Sequence, residues 1–410
     1  MSAESLHQRI KELERENKGL ERENKGLERE NKELERENED LRREKRESTF
    51  NEVLEYYHEY SKNIKVETDR KKSTQGETTS PQGRSCPTIL KEWTSFPAEY
   101  DAAMARVLDT LQRDNDEIRC FESKIFIKQL IDRETKEKLA SEEDLRIQSH
   151  ILLDMPTSMI ASELARLWDR GAKVVFRNHD NFDEEMLHAQ HSHDAATAEA
   201  GPDLIEFKKK SVPIDQICLL DDGNEHMQRL FLAGLKPPHK MTVDTMYSGL
   251  DKEINLPNDI INSLKIPHDP HEKHVYTSKQ MVCAAITQAY DYMLRSPIMY
   301  ACVITGETIV FLRIDGKDTN ILHHYLIEPL QAVKAAAEIQ KPFPFHNTAL
   351  AHMVAFTVLA FDAPELDHNW QTKAISKSAK WKVDPDVLLS QLHEEQTKET
   401  PPPSIARIRF

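Results

Sequence analysis

The sequence predicts a mixed α/β or α+β fold, in which helices flank a central mixed sheet and a long N-terminal helix precedes the domain. Three observations lead to this prediction. Residues 6–47 repeat with a period of seven, residues 62–91 are polar and rich in Ser, Thr, Gly and Lys, and short apolar runs then alternate with amphipathic helical patterns. This order of helices and strands is typical of layered domains with a covered sheet.

The N-terminal repeat predicts a coiled coil. Leucines take the d positions of the heptad, at Leu6, Leu13, Leu20, Leu27, Leu34 and Leu41. The a positions are Ile10, Asn17, Asn24, Asn31 and Asn38. Asparagine at a favours a parallel dimer of fixed register and lowers its stability. A DNA-binding zipper is disfavoured, because no basic helix precedes the leucines.

The positions beside the leucines are acidic. Glutamate occupies e at 14, 21, 28 and 35 and g at 16, 23, 30 and 37, so glutamates face glutamates in a parallel homodimer. Lys18, Lys25 and Lys32 follow e glutamates by four residues and stabilise the single helix instead. These residues leave three alternatives: a weak homodimer, the acidic half of a heteromeric coil with another protein, and a solvated single helix.

The elements beyond residue 90 can be placed in order. Amphipathic helices are predicted at 100–113 and 141–168, a strong helix at 277–295 and a buried helix at 347–361. Strands are predicted at 172–176, 215–220, 229–236, 300–305, 308–314 and 324–327. Residues 221–224 (Asp-Asp-Gly-Asn) and Gly306-Glu307 have the composition of turns between strands.

The same patterns predict the domain boundaries. Residues 1–60 are expected to form the coiled-coil helix and 61–90 a disordered linker. The domain is expected at 91–375, with 183–212 as a long exposed loop, and residues 376–410 as a C-terminal tail.

The composition narrows the class of protein. A net charge of −15 disfavours a nucleic-acid binder overall but allows a basic patch on one domain. The five cysteines lack Cys-x-x-Cys spacing, which indicates reduced thiols in the cytosol or nucleus. The N-terminus is charged and the longest apolar run, 353–361, is too short to span a bilayer. We therefore expect an intracellular protein, cytoplasmic or nuclear, with no membrane partner.

Three polar residues stand where a nuclease site would need them. Asp215 opens one predicted strand, Lys236 closes the next, and Gln288 lies in the helix that follows. A metal-dependent nuclease needs carboxylates that hold Mg²⁺ and a lysine that positions or deprotonates the attacking water. Because adjacent antiparallel strands bring the start of one beside the end of the other, Asp215 and Lys236 are expected to converge. The structural alternatives are a lysine extending from a strand end and a core glutamine.

Residues from about 90 to 370 resemble the fungal PD-(D/E)XK nuclease-like domain that often precedes a fungal-type protein kinase domain. The matching stretches are SEEDL (141–145), VVFRNHDN (174–181), PIDQIC (213–218), LKPPHKMT (235–242), VCAAITQAYDYML (282–294), YACVITGETIVFLRI (300–314) and HHYLIEPL (323–330). The resemblance implies a restriction-endonuclease-like sheet, in which the motif aspartate opens one strand and a Glu/Asp-x-Lys triplet lies on the next. The chain itself lacks the H-R-D and D-F-G kinase motifs.

The resemblance carries over to only some of the site residues. It implies catalytic roles for Asp215, Lys236 and Gln288, with Asp215 as the metal ligand. The family's second carboxylate is Gly234 here, and Arg177 replaces a glutamate. Glu143 is a candidate for a remaining helix carboxylate. Two acidic positions are lost, and with them most of the expected Mg²⁺ affinity.

Two other patterns resemble sites by chance. Residues 202–210 (PDLIEFKKK) contain Pro-Asp and Glu-Phe-Lys, but only two residues separate them, too few for two strands and a turn. The histidines at 188, 191, 193, 268, 271 and 274 have metal-like spacing, but a solvated loop is the favoured interpretation.

The function expected from the sequence is non-catalytic. We predict a degenerate nuclease-like domain in a fungal protein that binds nucleic acid or protein and is recruited through the acidic coil, without a cofactor. The first alternative is an active Mg²⁺-dependent phosphodiesterase that uses Asp215 and Lys236 and an acid supplied from elsewhere. The second is an interaction protein whose functional part is the coiled coil.

Overall fold

The computed structural model describes residues 3–67, 73, 80–113, 116–134, 138–177, 215–223, 227–263, 266–339 and 343–382. Its helices are α1 Ala3–Lys45, α2 Phe50–Ser61, α3 Phe96–Thr110, α4 Lys124–Glu134, α5 Glu142–Ser149, α6 Met155–Leu167, α7 Val243–Gly249, α8 Pro270–Arg295, α9 Pro329–Ile339, α10 Ala349–Phe361 and α11 His368–Lys377. Two π-helical segments, His150–Asp154 and Leu256–Ile261, and one 3₁₀ turn, Phe345–Asn347, complete the helical part of the described chain.

The strands form one large mixed sheet and three short pairs. In chain order they are β1 Lys65–Val66, β2 Ser85–Cys86, β3 Ile89–Glu92, β4 Gln112–Arg113, β5 Asp116–Glu117, β6 Lys138–Leu139, β7 Lys173–Arg177, β8 Gln216–Asp221, β9 Met227–Leu235, β10 Glu253–Asn255, β11 Tyr300–Ile304, β12 Ile309–Ile314, β13 Ile321–Ile327 and β14 Ala379–Lys380. The eight-stranded sheet has the order β10-β3-β13-β12-β11-β9-β8-β7. Within this sheet, β11 and β9 are parallel neighbours, as are β13 and β3, and all other neighbouring strands are antiparallel. This arrangement confirms the predicted mixed sheet.

Helices cover both faces of the sheet. On one face, α2, α3, α6 and α10 pack against alternate strand residues, and Phe96 stacks between the rings of Phe311 and Tyr325. On the other face α8 contributes the buried Cys283, Ile286 and Tyr290. Because side chains alternate along a strand, the apolar runs of the central strands supply both cores.

The packed domain begins earlier than the sequence patterns predicted. Helix α1 ends at Lys45, and a capping box between Thr49 and Glu52 starts α2. Val53 and Leu54 of α2 are completely buried in the domain core. The expected boundary at residue 60 is therefore wrong. The heptad repeat ends before α2, and the apolar residues of α2 lie on one side of the helix, which packs against the domain.

A second packed region lies where the linker and the tail were expected. Strand β2 pairs antiparallel with β14, so residues from both expected segments join one ladder. Asp291 of α8 lies under this ladder, is completely buried, and accepts the Ser85 backbone N–H at 3.0 Å. Its carboxylate also pairs with Arg295 at 2.9 Å and lies 3.8 Å from Arg84. Residues 80–90 and 376–382 thus belong to the folded domain.

Most of the other predicted elements are confirmed with shifted ends. The helix predicted at 100–113 begins at Phe96, and the one at 277–295 begins at Pro270, where Asp269 caps it. The helix predicted at 141–168 is α5 and α6 joined by the π-helical turn His150–Asp154. The loop expected at 183–212 lies outside the described residues. Among the described residues, no helix is long and apolar enough to cross a membrane.

Candidate functional site

Asp215 and Lys236 converge at the ends of two paired strands. Asp215 directly precedes β8, Lys236 directly follows β9, and these strands are antiparallel with Gln216 opposite Ala233. The Lys236 ammonium lies 4.0 Å from Asp215 Oδ2, and the lysine side chain is 11% exposed. The Leu235 backbone N–H donates to Asp215 Oδ2 at 2.7 Å. The carboxylate is thus oriented by the neighbouring strand and by the lysine together.

Gln288 lies on the same face of the sheet. Helix α8 crosses this face, and the Gln288 side-chain amide donates to the Tyr292 hydroxyl one turn further along, at 3.2 Å. Asp215, Lys236 and Gln288 line one small cleft. The three residues singled out from the sequence are therefore neighbours in the structure.

Gly234 occupies the position opposite Asp215. A Cβ built on Gly234 would meet Asp215 Oδ2 and the Cys302 carbonyl oxygen at 3.9 Å, which is an ordinary van der Waals distance. Its φ does not lie in the left-handed region that favours glycine. The sheet therefore has room for a side chain here, and the missing carboxylate reflects the residue type rather than crowding.

Glu142, and not Glu143, interacts electrostatically with Asp215 and Lys236. Ser141 caps α5, which makes Glu142 its first residue, and Glu143 turns toward Arg146, with which it pairs at 2.6 Å. Burial raises the pKa of Glu142, the charges of Lys236 and Lys240 lower it, and the charge of Asp215 raises it again. Glu142 therefore belongs to the electrostatic surroundings of the site, and the sequence-based choice of Glu143 is corrected.

A contact through a turn explains how α5 reaches this end of the sheet. A Cβ on Gly306, in the turn between β11 and β12, would lie 3.0 Å from Leu145 and 3.9 Å from Pro238. Leu145 lies one turn after Glu142, and Pro238 lies two residues after Lys236. Since φ of Gly306 is +92°, glycine is required here for the backbone and for the close approach of α5.

The residues present do not fit a carboxylate-rich metal site. Within the described chain, no group of three or more His, Cys, Asp or Glu residues is placed to hold a metal ion. Asp215 Oδ2 already accepts the Leu235 N–H and faces Lys236. Mg²⁺ is held by one or two carboxylates together with waters and substrate phosphates, so Asp215 and Glu142 would be a minimal set.

Sequence reasoning missed a buried carboxylate on the opposite face of the sheet. Asp154, in the π-helical turn, is completely buried and accepts the Gln216 side-chain amide at 2.6 Å. His150 lies 3.4 Å from the same carboxylate. Burial raises the pKa of Asp154, and the hydrogen bonds with His150 and Gln216 lower it. Gln216 neighbours Asp215 in sequence, so this cluster supports the strand that carries the site aspartate.

The remaining candidates lie elsewhere. His271 and His274 belong to α8 rather than to a loop, and His274 pairs with Asp244 at 2.8 Å. Arg177 ends β7 and lies 3.8 Å from Asp221. The histidines at 188, 191 and 193 and the PDLIEFKKK stretch lie outside the described residues. The five cysteines form no disulfide, and Cys86, Cys218, Cys283 and Cys302 are buried.

Part of the chain is similar to fungal spore-killer proteins. The family described as the Spore killer 2 N-terminal domain matches residues 204–383, which include Asp215, Lys236 and Gln288. This stretch is similar to that domain. A curated relative, the meiotic driver SPOK2 of Podospora anserina, is 24% identical over 149 residues. The matched region covers 36% of this chain and 19% of that protein's length.

No solved structure matches the chain. The similarity to spore killers therefore rests on sequence and is confined to residues 204–383, the part of the chain that carries β8, β9 and α8. The resemblance to a PD-(D/E)XK nuclease and to kinase-associated proteins stays a prediction.

Proposed function

We propose that the domain is a degenerate nuclease-like module that binds nucleic acid without cleaving it. The observation that supports this function is the joint position of Asp215, Lys236 and Gln288 on one sheet face, with Gly234 where a second carboxylate would stand. The lysine supplies a positive charge at the cleft, which suits a phosphate group.

We propose binding rather than cleavage because the Asp215 carboxylate already has protein partners and has no second carboxylate beside it. Asp215 is engaged by the Leu235 N–H and the Lys236 ammonium, and Gly234 offers no side-chain ligand. Phosphodiester cleavage by a metal-dependent nuclease requires ligands that hold the ion against the scissile phosphate. A site with one oriented carboxylate and a lysine retains the means to contact a phosphate but has lost part of the metal site.

A second candidate function is metal-dependent cleavage with Glu142 as the replacement acid. The observation that favours it is the electrostatic coupling of Glu142 to both Asp215 and Lys236. The similarity to a spore killer and a meiotic driver also suits a toxic activity, and nucleic-acid cleavage is one such activity. The remaining alternative assigns the function to α1 and treats the domain as its scaffold.

One experiment separates these functions. The full-length protein is incubated with plasmid DNA or single-stranded RNA and Mg²⁺ or Mn²⁺, and binding is measured in parallel over a range of salt concentrations. We expect no cleavage. The logarithm of the binding constant should fall linearly with the logarithm of the salt concentration, as phosphate contacts require. Lys236→Ala should weaken binding, whereas Lys317→Ala, on an exposed turn, should not.

The opposite results have clear meanings. Cleavage that Asp215→Ala abolishes would refute the degenerate reading, and loss of that cleavage in Glu142→Gln would assign Glu142 as the second acid. Absence of any binding to DNA or RNA would refute the nucleic-acid function and leave protein binding.

A further inference from the structure

Helix α1 exposes a row of apolar residues spaced seven apart, which we name the leucine stripe: Leu6, Leu13, Leu20, Leu27, Leu34 and Leu41, with Ile10 beside them. Each of these side chains is 48–53% exposed. The buried apolar residues of the domain begin only at Phe50, after α1 has ended. An apolar stripe of this length on a surface indicates an interaction site.

The residues beside the stripe exclude a stable pair of identical helices. In a parallel pair the e residues of one helix face the g residues of the other, and in an antiparallel pair e faces e and g faces g. Glutamate fills e and g in four successive heptads, at 14, 16, 21, 23, 28, 30, 35 and 37. Both arrangements of two copies therefore place glutamate against glutamate, which is unfavourable.

The centre of the stripe adds a second requirement. Asn17, Asn24, Asn31 and Asn38 hold consecutive a positions. In α1 the Asn38 side-chain amide donates to the Leu34 carbonyl oxygen at 2.9 Å, on the exposed surface. When a coil buries these amides they need polar partners at the same level, because an unsatisfied buried amide costs about 1–3 kcal/mol. A partner helix must therefore carry polar residues in register.

We propose that α1 binds a parallel helix of a different protein, with leucine at d, asparagine at a, and lysine or arginine at e and g. Such a partner places cations against all eight glutamates and an amide against each asparagine. The charges determine which helix binds, and the leucines supply most of the buried apolar surface. This inference goes beyond the proposed function and does not depend on the Asp215 site.

The test uses the full-length protein and synthetic helices as probes. The basic probe has Leu at d, Asn at a and Lys at every e and g; a neutral probe has Gln and an acidic probe has Glu at those positions. By sedimentation at micromolar concentration the protein alone should be monomeric. It should bind the basic probe with a 1:1 ratio, about tenfold or more tighter than the neutral probe, and the acidic probe least.

Two variants of the full-length protein make the test specific. Replacement of the eight e and g glutamates by lysine should reverse the preference toward the acidic probe. The control replaces the outward arginines Arg15, Arg22, Arg29 and Arg36 by glutamine and should retain the preference for the basic probe. Lys236→Ala should bind the basic probe as the unmodified protein does, so failure of the nuclease-like site would not be mistaken for failure of the coil.

Three results would overturn the proposal. The first is a stable dimer of the protein alone at neutral pH, which would indicate a second copy as the occupant. The second is equal affinity for the basic, neutral and acidic probes. The third is an unchanged preference after the glutamates are replaced by lysine.

Discussion

Lys236 Nζ lies 4.0 Å from Asp215 Oδ2, although the two residues belong to different strands. The relationship is produced by the antiparallel pairing of β8 and β9, which brings the start of one strand to the end of the other. It leaves Gly234 directly beside the carboxylate, at a position where an added Cβ would make only ordinary van der Waals contacts.

Replacement of Gly234 by glutamate should create a binding site for a divalent cation. The new side chain would start 3.9 Å from Asp215 Oδ2 and place a second carboxylate in the cleft. We expect Mn²⁺ binding by calorimetry that the unmodified protein lacks. Gly316→Glu, where a Cβ meets open space, is the matched control. A folded Gly234→Glu protein that binds no more Mn²⁺ than the control would contradict the prediction.

Removal of the Asp215 carboxylate should destabilise the hairpin of β8 and β9. Asp215→Ala leaves the Leu235 N–H without its acceptor, which should lower the free energy of unfolding by roughly 1–2 kcal/mol. Asp215→Asn retains an acceptor oxygen and should lose less. Urea unfolding curves measure both values, and equal losses in the two variants would argue against this role of the hydrogen bond.

The stability of the domain should fall in mildly acidic solution because of His352. The ring stacks on Tyr100 and Phe311, its Nδ1 lies 2.9 Å from the Thr348 carbonyl oxygen, and burial lowers its pKa from 6.5 to about 4. As the pH falls below 6.5, the unfolded chain takes up this proton before the folded chain does. The stabilisation that comes from keeping His352 neutral is therefore complete above pH 6.5 and is lost as the pH falls to about 4.

The size of this effect is up to about 3 kcal/mol, at about 1.4 kcal/mol for each pKa unit. His352→Phe keeps the stacking and removes the titrating group, so its unfolding free energy should depend less on pH between 6.5 and 4. Urea unfolding at several pH values measures the two slopes. Equal slopes in this window would show that other groups carry the dependence.

Replacement of Asp291 by alanine should destabilise the packing of α8 against the β2–β14 ladder, which brings the two ends of the domain together. It leaves Arg84 and Arg295 without their buried counter-charge, which should cost about 3–5 kcal/mol. Asp362→Ala is the control, because Asp362 is 56% exposed and its exposed pairs with Arg106 and Arg170 should each contribute under about 1 kcal/mol. Thermal unfolding compares them, and similar losses for both would contradict the assigned role of the buried carboxylate.

Truncation at two positions should show that α2, and not α1, contributes to the stability of the domain. A protein that begins at residue 47 keeps the capping box and the core residues Val53 and Leu54, so its unfolding midpoint should stay close to that of the full chain. A protein that begins at residue 62 loses these buried side chains and should be strongly destabilised. Calorimetry of both proteins measures the difference. Equal stability of the two would restore the boundary near residue 60.

The local patterns of the sequence were sufficient for much of the fold and for the approach of Lys236 to Asp215. The heptad repeat predicted α1, and the apolar runs predicted β7 to β9 and β11 to β13, because side-chain periodicity depends only on local geometry. The hairpin between β8 and β9 also predicted the approach of Lys236 to Asp215, since an antiparallel pair determines which ends meet. Gln288 lies in the same cleft as Asp215 and Lys236 because α8 crosses this face of the sheet.

Other relationships required the tertiary structure. Glu142 and Glu143 are adjacent acids at one helix start, and only the packing of α5 near Gly306 determines which of them interacts with the charges of Asp215 and Lys236. The polar segments around residues 85 and 380 were predicted to be a linker and a tail. No local sequence pattern indicates that β2 and β14, which are far apart in the chain, pair with each other. The sequence by itself determined the periodic elements and the identity of Gly234. The fold decided which charges meet, since burial of Asp291 and coupling of Glu142 depend on contacts between residues far apart in the chain.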